Sequence, residues 1–418
     1  MSKLYGDGIH DDWAAIQEMI DSGKNEVILP APEKNYLISK PLELPSNFRL
    51  VLPRFATIRL ADQSNCVMLK AKGVKSFAKR LCPEVYNVPI QHHLWSYVDD
   101  YSPEEKDATR NLEICGGIWD CNNLNQHPNP ERTKEHPIRE FYGCGMLFYN
   151  VKNFKLSSLT VKDPSQYAIA LDRVSDFTVE DITFDFNKGN PYPVNMDGVH
   201  LDGNCHYGVI RNLKGTCYDD FVALNAHEGS RGDITNILID GLFADYCHSA
   251  VRLLTVGETV ENIHITNVYG NYYQYVVGLT KHYPEEVKGG FDGIFVDKVY
   301  AAKALPVTKG DFSHPPASEP RYNLAFIYIQ KESLVKNLVL RDIQRKEKTL
   351  PKDTIKVGVN AVVERLIIDN FIAENHTEEP MNFINNEGLI KYLRMTDVVT
   401  KDCEKITGNG TIEKLIED

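Results

Sequence analysis

Three carboxylates in one stretch of the sequence have the residue types and spacing for acid–base chemistry on a glycosidic bond. Asp197 is followed by Asp219 and Asp220 after 22 and 23 residues, and strand-like alternation of apolar residues comes after each. Glycoside hydrolysis requires carboxyl groups that converge on one bond, one protonated and one ionised. This separation is too long for one helix face or hairpin, but it fits one coil of a solenoid, in which equivalent positions stack.

A repeat that would stack these carboxylates begins at Phe154. Its pattern is apolar-x-apolar-x-(Asn, Asp or small)-apolar, and it recurs at intervals of 23, 31, 29, 26, 31, 44 and 28 residues. Its fifth position holds Ser158, Asp181, Asn212, Gly241, Asn267, Lys298, Asp342 and Asn370. The alternation predicts strands, and the polar or small fifth residue predicts a bend where left-handed geometry is tolerated.

This recurrence predicts an all-β fold, a right-handed parallel β-helix with short strands in every coil. A β-sandwich would instead show turn signals every 8–12 residues, and the chain has few of them. Near the start, Asp11 or Asp12 precedes an apolar stripe from Trp13 to Ile20, which predicts a short helix that caps the strand stack.

We expect residues 1–418 to form a single β-helix domain, since no shift in composition marks a boundary. Two stretches interrupt the repeat, near 82–140 and 302–322; the first contains a strongly acidic run and both are rich in proline. Long loops on a rigid scaffold often form the walls of a binding site. We therefore expect these insertions to border the cleft.

Composition and charge limit the partners. With 46 basic and 58 acidic residues the formal net charge is −12, and no basic stripe predicts a nucleic-acid partner. No apolar run approaches the length of a membrane span, and the first residues do not resemble a signal peptide. The nine scattered cysteines suggest reduced thiols and a cytoplasmic location, or a secreted protein if a signal has been removed.

Several motifs resemble a known family. The opening Gly6-Asp7-Gly8-x-x-Asp11-Asp12-x-Ala-Ala-Ile-Gln is similar to the start of pectate-lyase-type β-helix proteins, and residues 154–280 resemble glycoside hydrolase family 28, the polygalacturonases and rhamnogalacturonases. The family's Asn-Thr-Asp-Gly motif corresponds to Asn195-Met196-Asp197-Gly198. Its Gly-Asp-Asp-Cys-Ile-Ala-Ile motif corresponds to the residues from Tyr218 to Leu224.

The resemblance implies a role for each acidic residue. Asp219 would protonate the leaving oxygen, and Asp197 and Asp220 would activate water from the opposite face, which inverts the anomeric centre. The family's Gly-His-Gly motif is replaced by Cys247-His248-Ser249, which retains the histidine. His248 would then set the protonation state of the acid through a hydrogen bond.

Substrate-binding residues are predicted around these motifs. Asn195 would orient the turn or a sugar hydroxyl, and Tyr218 replaces the family's glycine at the subsite floor. The family's Arg-Ile-Lys motif has its nearest counterpart in 277–281, where only Lys281 is retained, so Arg252 and Lys281 are the candidates for an anionic or hydroxyl-rich substrate. His227 lies close enough in sequence to enter the cleft, as do Glu228 and His200.

No cofactor is predicted, because no phosphate-binding loop or dinucleotide fingerprint is present. A metal site is not predicted either, since the pair His92-His93 has no third ligand at metal spacing. The predicted partner is a carbohydrate substrate, with no nucleic acid and no membrane, and the protein would be a monomer or homo-oligomer.

The sequence therefore predicts an inverting glycosidase acting on a pectic or other acidic oligo- or polysaccharide. Long loops that close one end of the cleft would favour exo action on short oligosaccharides. A polysaccharide lyase on the same scaffold is one alternative, and it needs a base with a cation near a uronic acid. A phage-type β-helix that binds carbohydrate without turnover is the other, because fold alone does not determine function.

Overall fold

The computed structural model describes residues 2–64, 66–72, 108–126, 144–186, 196–281, 289–305 and 324–418. Most of the predicted loop insertions near 82–140 and 302–322 lie outside these ranges, as do His92 and His93. Within these ranges, none of the helices is long and apolar enough to cross a membrane. The cysteines in the described part, eight in number, are all free thiols.

The described ranges contain one α-helix, one short 3-10 helix at Asn123–Asn125, and many strands. The helix is α1 (Trp13–Ile20). The strands are β1 (Glu26–Ile28), β2 (Tyr36–Ile38), β3 (Leu42–Leu44), β4 (Phe48–Val51), β5 (Thr57–Leu60), β6 (Leu69–Ala71), β7 (Thr109–Cys115), β8 (Ile118–Asp120), β9 (Met146–Lys162), β10 (Ile169–Asp185), β11 (Val199–Asp202), β12 (His206–Thr216), β13 (Asp220–Asn225), β14 (Ile234–Leu254), β15 (Thr259–Thr280), β16 (Gly290–Lys303), β17 (Ile327–Ile329), β18 (Leu334–Glu347), β19 (Ile355–Val357), β20 (Val362–Asn375), β21 (Asn382–Asn386), β22 (Leu389–Ile390), β23 (Leu393–Lys401), β24 (Glu404–Thr407), β25 (Thr411–Ile412) and β26 (Leu415–Glu417).

The strands pair in parallel with strands of the next coil, so the predicted parallel β-helix is confirmed. A coil passes through three main faces. One of them, here called the third face, stacks β3, β6, the starts of β9 and β10, β11, β13, the ends of β14 and β15, and then β17, β19, β21 and β24. The long strands β9, β10, β14 and β15 bend and continue across the other two faces.

The bends occur at the predicted repeat positions. All eight residues at the fifth position have a φ between 49° and 82°, with Gly241 at the upper end. Asparagine and aspartate tolerate this left-handed region better than other residues with a side chain. Their side chains also bond between coils, as where Asn370 Nδ2 donates to Asp342 Oδ1 over 2.7 Å. The repeat thus sets where each coil turns.

The core is a set of aliphatic rows that run along the axis. One row lies in register across ten coils and is at most 2% exposed throughout; it consists of Ile114, Leu156, Val179, Ile210, Ile239, Ile265, Val296, Leu340, Ile368 and Met395. Burying one such side chain contributes about 1.5–3 kcal/mol relative to exposure. The repeated apolar positions therefore hold each coil to the next.

The predicted capping helix is present at the amino-terminal end. Ile16 and Ile20 of α1 are buried in the same core as the first strands. Asp11 Oδ1 accepts a hydrogen bond from Trp13 N at 3.0 Å, whereas the Asp12 carboxylate accepts from the backbone of Gly6 and Leu37. Asp12 is therefore the N-cap residue without a side-chain cap bond, and its carboxylate fastens the first loop to the first coil, while Asp11 accepts from the first N–H of the helix.

Candidate active site

Three consecutive coils of the third face bring the predicted acidic residues together. Val199 of β11 is in register with Val222 of β13, and Val222 with Val251 of β14. Asp197 and Asp220 lie just before and at the starts of β11 and β13, where Gly198 N donates to Asp220 O over 3.0 Å. Since parallel strands are about 4.8 Å apart, side chains at these strand starts lie within contact of one another.

Asp197 is buried beneath the next coil and bonded on both oxygens. Its Oδ1 accepts a hydrogen bond from Asp220 N at 3.1 Å, and its Oδ2 lies 2.6 Å from His200 Nδ1. Burial, together with repulsion from Asp219, raises the pKa of Asp197 to about 7, although the hydrogen bond from His200 acts in the opposite direction. Asp197 therefore lies close to the point where it can hold or release a proton at neutral pH.

Asp219 and Asp220 face the same side although they are neighbours in sequence. The chain bends at 218–219, and regular strand geometry begins only at Asp220. Arg252 lies next to both carboxylates, with Nε 3.1 Å from Asp220 Oδ2 and one terminal nitrogen 3.9 Å from Asp219 Oδ1. The bend therefore cancels the alternation that would send adjacent strand residues to opposite faces.

Asp220 is fully buried among polar partners. Ser249, its register partner on β14, donates an Oγ hydrogen bond to Asp220 Oδ1. Burial raises the pKa of Asp220, and the positive charge of Arg252 offsets only part of this rise. The Arg252 guanidinium is itself fixed, because its Nε also donates to Tyr275 Oη over 3.0 Å.

His248 lies against the carboxylate for which the family resemblance implies the role of acid. Its Nδ1 is 3.0 Å from Asp219 Oδ1, and its ring packs edge-on against Tyr273 with centroids 5.0 Å apart. The side chain of Asp219 is 16% exposed, whereas Asp220 is 0% and Asp197 is 2% exposed. Asp219 is thus the carboxylate among the three that a molecule in the cleft contacts most readily.

The remaining predicted binding residues are not all at this centre. Tyr218 is buried next to Asp219, with its hydroxyl donating to Phe186 O. Lys281 follows β15, six residues beyond the register of Asp220, which is about 20 Å along an extended strand. It contacts Gln330 and, at 3.9 Å, Glu332. His227 likewise follows β13 and pairs with Glu258 at 2.9 Å. Asn195 lies outside the described residues.

A second polar group, for which the sequence carries only a weak signal, adjoins Asp197 through His200. His200 Nε2 lies 3.3 Å from Asp202 Oδ1 and 3.4 Å from Glu228 Oε2, and all three residues are buried. The signal was the alternation His200-Leu201-Asp202 in β11, which places both polar side chains on one side of the strand. Their burial depends on the neighbouring coils and was not visible in the sequence.

Two groups in the described part of the chain have the donor atoms to hold a metal ion. They are His200, Asp202 and Glu228, and Asp219, Asp220 and His248, with ligand atoms within 4.8 Å of one another in each group. In the second group, Arg252 already supplies a positive charge between the two carboxylates. In the first group, a protonated His200 would supply the positive charge.

Replacing Arg252 by Gln is expected to lower kcat/KM about 100-fold and to move the acidic limb of the pH profile upward. Without the guanidinium, the paired carboxylates lose their nearest positive charge, so the pKa of Asp220 rises further. The measurement is kcat/KM from pH 4 to 9 on a cleavable oligosaccharide. Arg365→Gln, at an exposed position on β20, is the matched control. An Arg252→Gln protein with a normal profile would contradict this role.

The fold and the site together define a class: a parallel β-helix protein with a three-carboxylate centre on one face. The family model described as glycosyl hydrolases family 28 matches residues 105–269. The resemblance to this family that the motifs predicted is therefore confirmed. The matched part is less than half of the chain; it includes all three acidic residues, His248 and Arg252, and it ends before Lys281.

Solved structures share the fold at low sequence identity. A family 28 exopolygalacturonase from Yersinia enterocolitica aligns with a TM-score of 0.64 and 13% identity, over 99% of this chain and 76% of that one. An exopolygalacturonase from Thermotoga maritima gives 0.54 and 12%, over 99% and 89%. PfbA, a surface adhesin of Streptococcus pneumoniae, gives 0.51 and 15%, over 99% and 91%. No curated protein sequence matches the chain significantly.

Proposed function

We propose that this protein is a glycoside hydrolase that cleaves an O-glycosidic bond with inversion of the anomeric centre. The observation that carries the proposal is the convergence of Asp197, Asp219 and Asp220 from successive coils around His248 and Arg252. The family 28 match over these residues supports the same conclusion.

The three carboxyl groups divide into two roles by their surroundings. Asp219, the most accessible of the three, donates a proton to the glycosidic oxygen as the bond breaks. Asp197 and Asp220, the buried members, take the proton of the attacking water on the other face of the sugar ring. Inverting pairs usually stand roughly 6.5–9.5 Å apart, whereas one oxygen of Asp219 and one of Asp220 lie within 4.8 Å of each other, so the anomer of the product is the deciding measurement. Since the carboxyls repel one another, they titrate as a group and do not all ionise together.

The proposed substrate is a pectic oligosaccharide, and exo action is the finer prediction. The family 28 match and the exopolygalacturonases that share the fold support this proposal. We also propose a cytoplasmic location, where the substrates would be short oligosaccharides rather than polymers.

The carboxylate centre favours hydrolysis over the alternatives. A lyase needs a base with a cation that is available to a uronate, but Arg252 is already held by Asp219, Asp220 and Tyr275. A surface adhesin also shares the fold, so binding without turnover is the second candidate function. Burying the carboxylates of Asp197 and Asp220 next to Asp219 costs free energy that binding alone does not require, which supports a catalytic centre.

A panel of oligosaccharides tests the proposal. Galacturonate oligomers, rhamnogalacturonan fragments and neutral oligosaccharides are incubated with the protein, and new reducing ends are measured together with the product anomer by proton NMR. We expect new reducing ends with the inverted anomer on at least one acidic oligosaccharide. An unsaturated product that absorbs in the ultraviolet would instead identify a lyase, and binding without new reducing ends would identify a binding protein.

A further inference from the structure

His200 connects the buried carboxylate Asp197 to a second pair of acids. Its Nδ1 lies 2.6 Å from Asp197 Oδ2, and its Nε2 faces Asp202 Oδ1 at 3.3 Å and Glu228 Oε2 at 3.4 Å. The ring lies flat against Tyr167, with centroids 3.7 Å apart and planes 7° apart, and is 1% exposed. The imidazole is therefore held on both nitrogens and on one face.

The arrangement distinguishes between the protonation states of this imidazole. A neutral ring that donates from Nδ1 to Asp197 would point the Nε2 lone pair at two carboxylate oxygens. A ring protonated on both nitrogens donates to carboxylates on both sides instead. Burial alone would lower the pKa of His200, but its hydrogen bonds to Asp197, Asp202 and Glu228 outweigh burial and raise that pKa well above its usual value.

Several elements packed against the imidazole of His200 place charged or polar groups near it. Asp202 lies on the same strand, β11, and Asp197 lies just before that strand. Glu228 follows β13, and Asn225 Nδ2 of β13 donates to Glu228 Oε2 over 2.9 Å. Tyr167 comes from the turn before β10. On the far side of Asp197 lie Asp219, Asp220 and Arg252. The side chains of Asp202 and Asp172 both lie against Gly229, so Asp172 is the next acidic residue beyond Asp202.

We propose that His200 is a positioning residue: an imidazolium, held by Asp202 and Glu228, that keeps Asp197 ionised and oriented as a base. This inference rests on the proposed hydrolase function and adds a residue to its machinery. Burial and the repulsion of Asp219 both favour a proton on Asp197. The adjacent positive charge opposes them, so Asp197 remains able to accept a proton from water.

The first readout is the protonation state of His200, measured without any substrate. Full-length protein labelled with nitrogen-15 histidine is titrated from pH 5 to 9, and the ring nitrogens are observed by NMR. The signals that disappear in His200→Gln identify the residue. We expect both ring nitrogens to stay protonated through neutral pH in the wild type. In Asp202→Asn and Glu228→Gln the pKa of His200 should fall, so that the ring loses its proton at a lower pH than in the wild type. A neutral His200 at pH 6 in the wild type would overturn the proposal.

The second readout is the pH dependence of catalysis. His200→Gln retains a donor toward Asp197 but loses the charge, so the acidic limb of kcat/KM should shift upward by about one pH unit, equivalent to about 1.4 kcal/mol. His206→Gln on β12, at a half-buried position bonded to Thr235, is the control with an unchanged profile. A folded His200→Gln protein with lower kcat and an unshifted limb would show a purely structural role and overturn the proposal.

The two readouts separate this inference from the proposed function. If the wild type cleaves nothing on the panel, the proposed function fails, while the NMR titration still decides the state of His200. If a chelator abolishes activity and a divalent cation restores it, with Nε2 unprotonated in the restored protein, a metal ion takes the place of the proton and the proposal is wrong.

Discussion

Replacing Asp219 by Asn is expected to lower kcat on a natural oligosaccharide by about 1000-fold while the coils stay folded. A general acid contributes about 100- to 10,000-fold, and an amide in its place donates no proton to the leaving oxygen. Asp219 is partly exposed and lies beside His248 and Arg252, so the substitution changes no side chain of the apolar core. The measurement is reducing-end release at the optimal pH, with circular dichroism as the check on folding.

A comparison of substrates with different leaving groups distinguishes the general acid from the other two carboxylates. A substrate with a phenolic leaving group of low pKa needs little protonation, so Asp219→Asn should recover most of its activity on such a substrate. Asp197→Asn and Asp220→Asn should not recover, because they act on the attacking water. Asp233→Asn, at an exposed position that accepts from Thr259 N, serves as the matched control. Equal losses on both substrates would mean that Asp219 is not the acid.

Replacing Glu347 by Gln is expected to lower the free energy of unfolding by about 3–5 kcal/mol, the usual cost of breaking a buried ion pair. Glu347 and Arg345 are both 0% exposed, with Arg345 nitrogens 2.8 and 3.1 Å from Glu347 Oε2. The other oxygen accepts from the backbone of Thr349 and Leu350. The amide nitrogen of a glutamine would face either the Arg345 nitrogens or the backbone N–H groups of Thr349 and Leu350, so that two donors would meet. The positive charge of Arg345 would also lose its carboxylate partner.

This buried group also supports the candidate active site. Lys303 donates its Nζ to the carbonyls of Tyr273 and Gln274, and its backbone N donates to Glu347 Oε2 at 3.2 Å. Tyr273 packs against His248. Loss of the Glu347 charge therefore loosens the backbone behind His248, so we expect a several-fold lower kcat in addition to the lower stability.

Urea unfolding at pH 7 measures the loss of stability, and repeating it at lower pH tests its origin. Burial alone would raise the pKa of Glu347, but Arg345 and the backbone donors hold it below its usual value. Its contribution is therefore present above the unfolded pKa of about 4.3 and is lost as the pH falls through the folded value. The gap between wild type and Glu347→Gln should narrow with acid. Glu364→Gln, an exposed partner of Lys391, should leave stability unchanged at every pH. A Glu347→Gln protein as stable as this control would show that the buried charge contributes nothing to stability.

The repeat and the acidic motifs were readable from the sequence because they depend on local chemistry. Every coil needs a residue that tolerates positive φ, and the pattern of Asn, Asp and Gly at those bends marks the coils. Alternation marks the strands, and the fixed interval places Asp197 one coil before Asp219. The family resemblance then supplied the roles, and the structure keeps Asp197, Asp219, Asp220, His248 and Arg252 together.

What only the tertiary structure decided is the environment of each side chain, because burial and register come from other coils. Arg252 and Lys281 were equal candidates in the sequence, yet register places Arg252 between two carboxylates and Lys281 six residues beyond the position of Asp220, about 20 Å along the face. His200 gave only a weak signal, since its partner Glu228 lies 28 residues away in sequence and meets it only when β13 stacks on β11. The sequence determined the coil and the chemistry it carries, while the stacking of coils determined which charges are buried together.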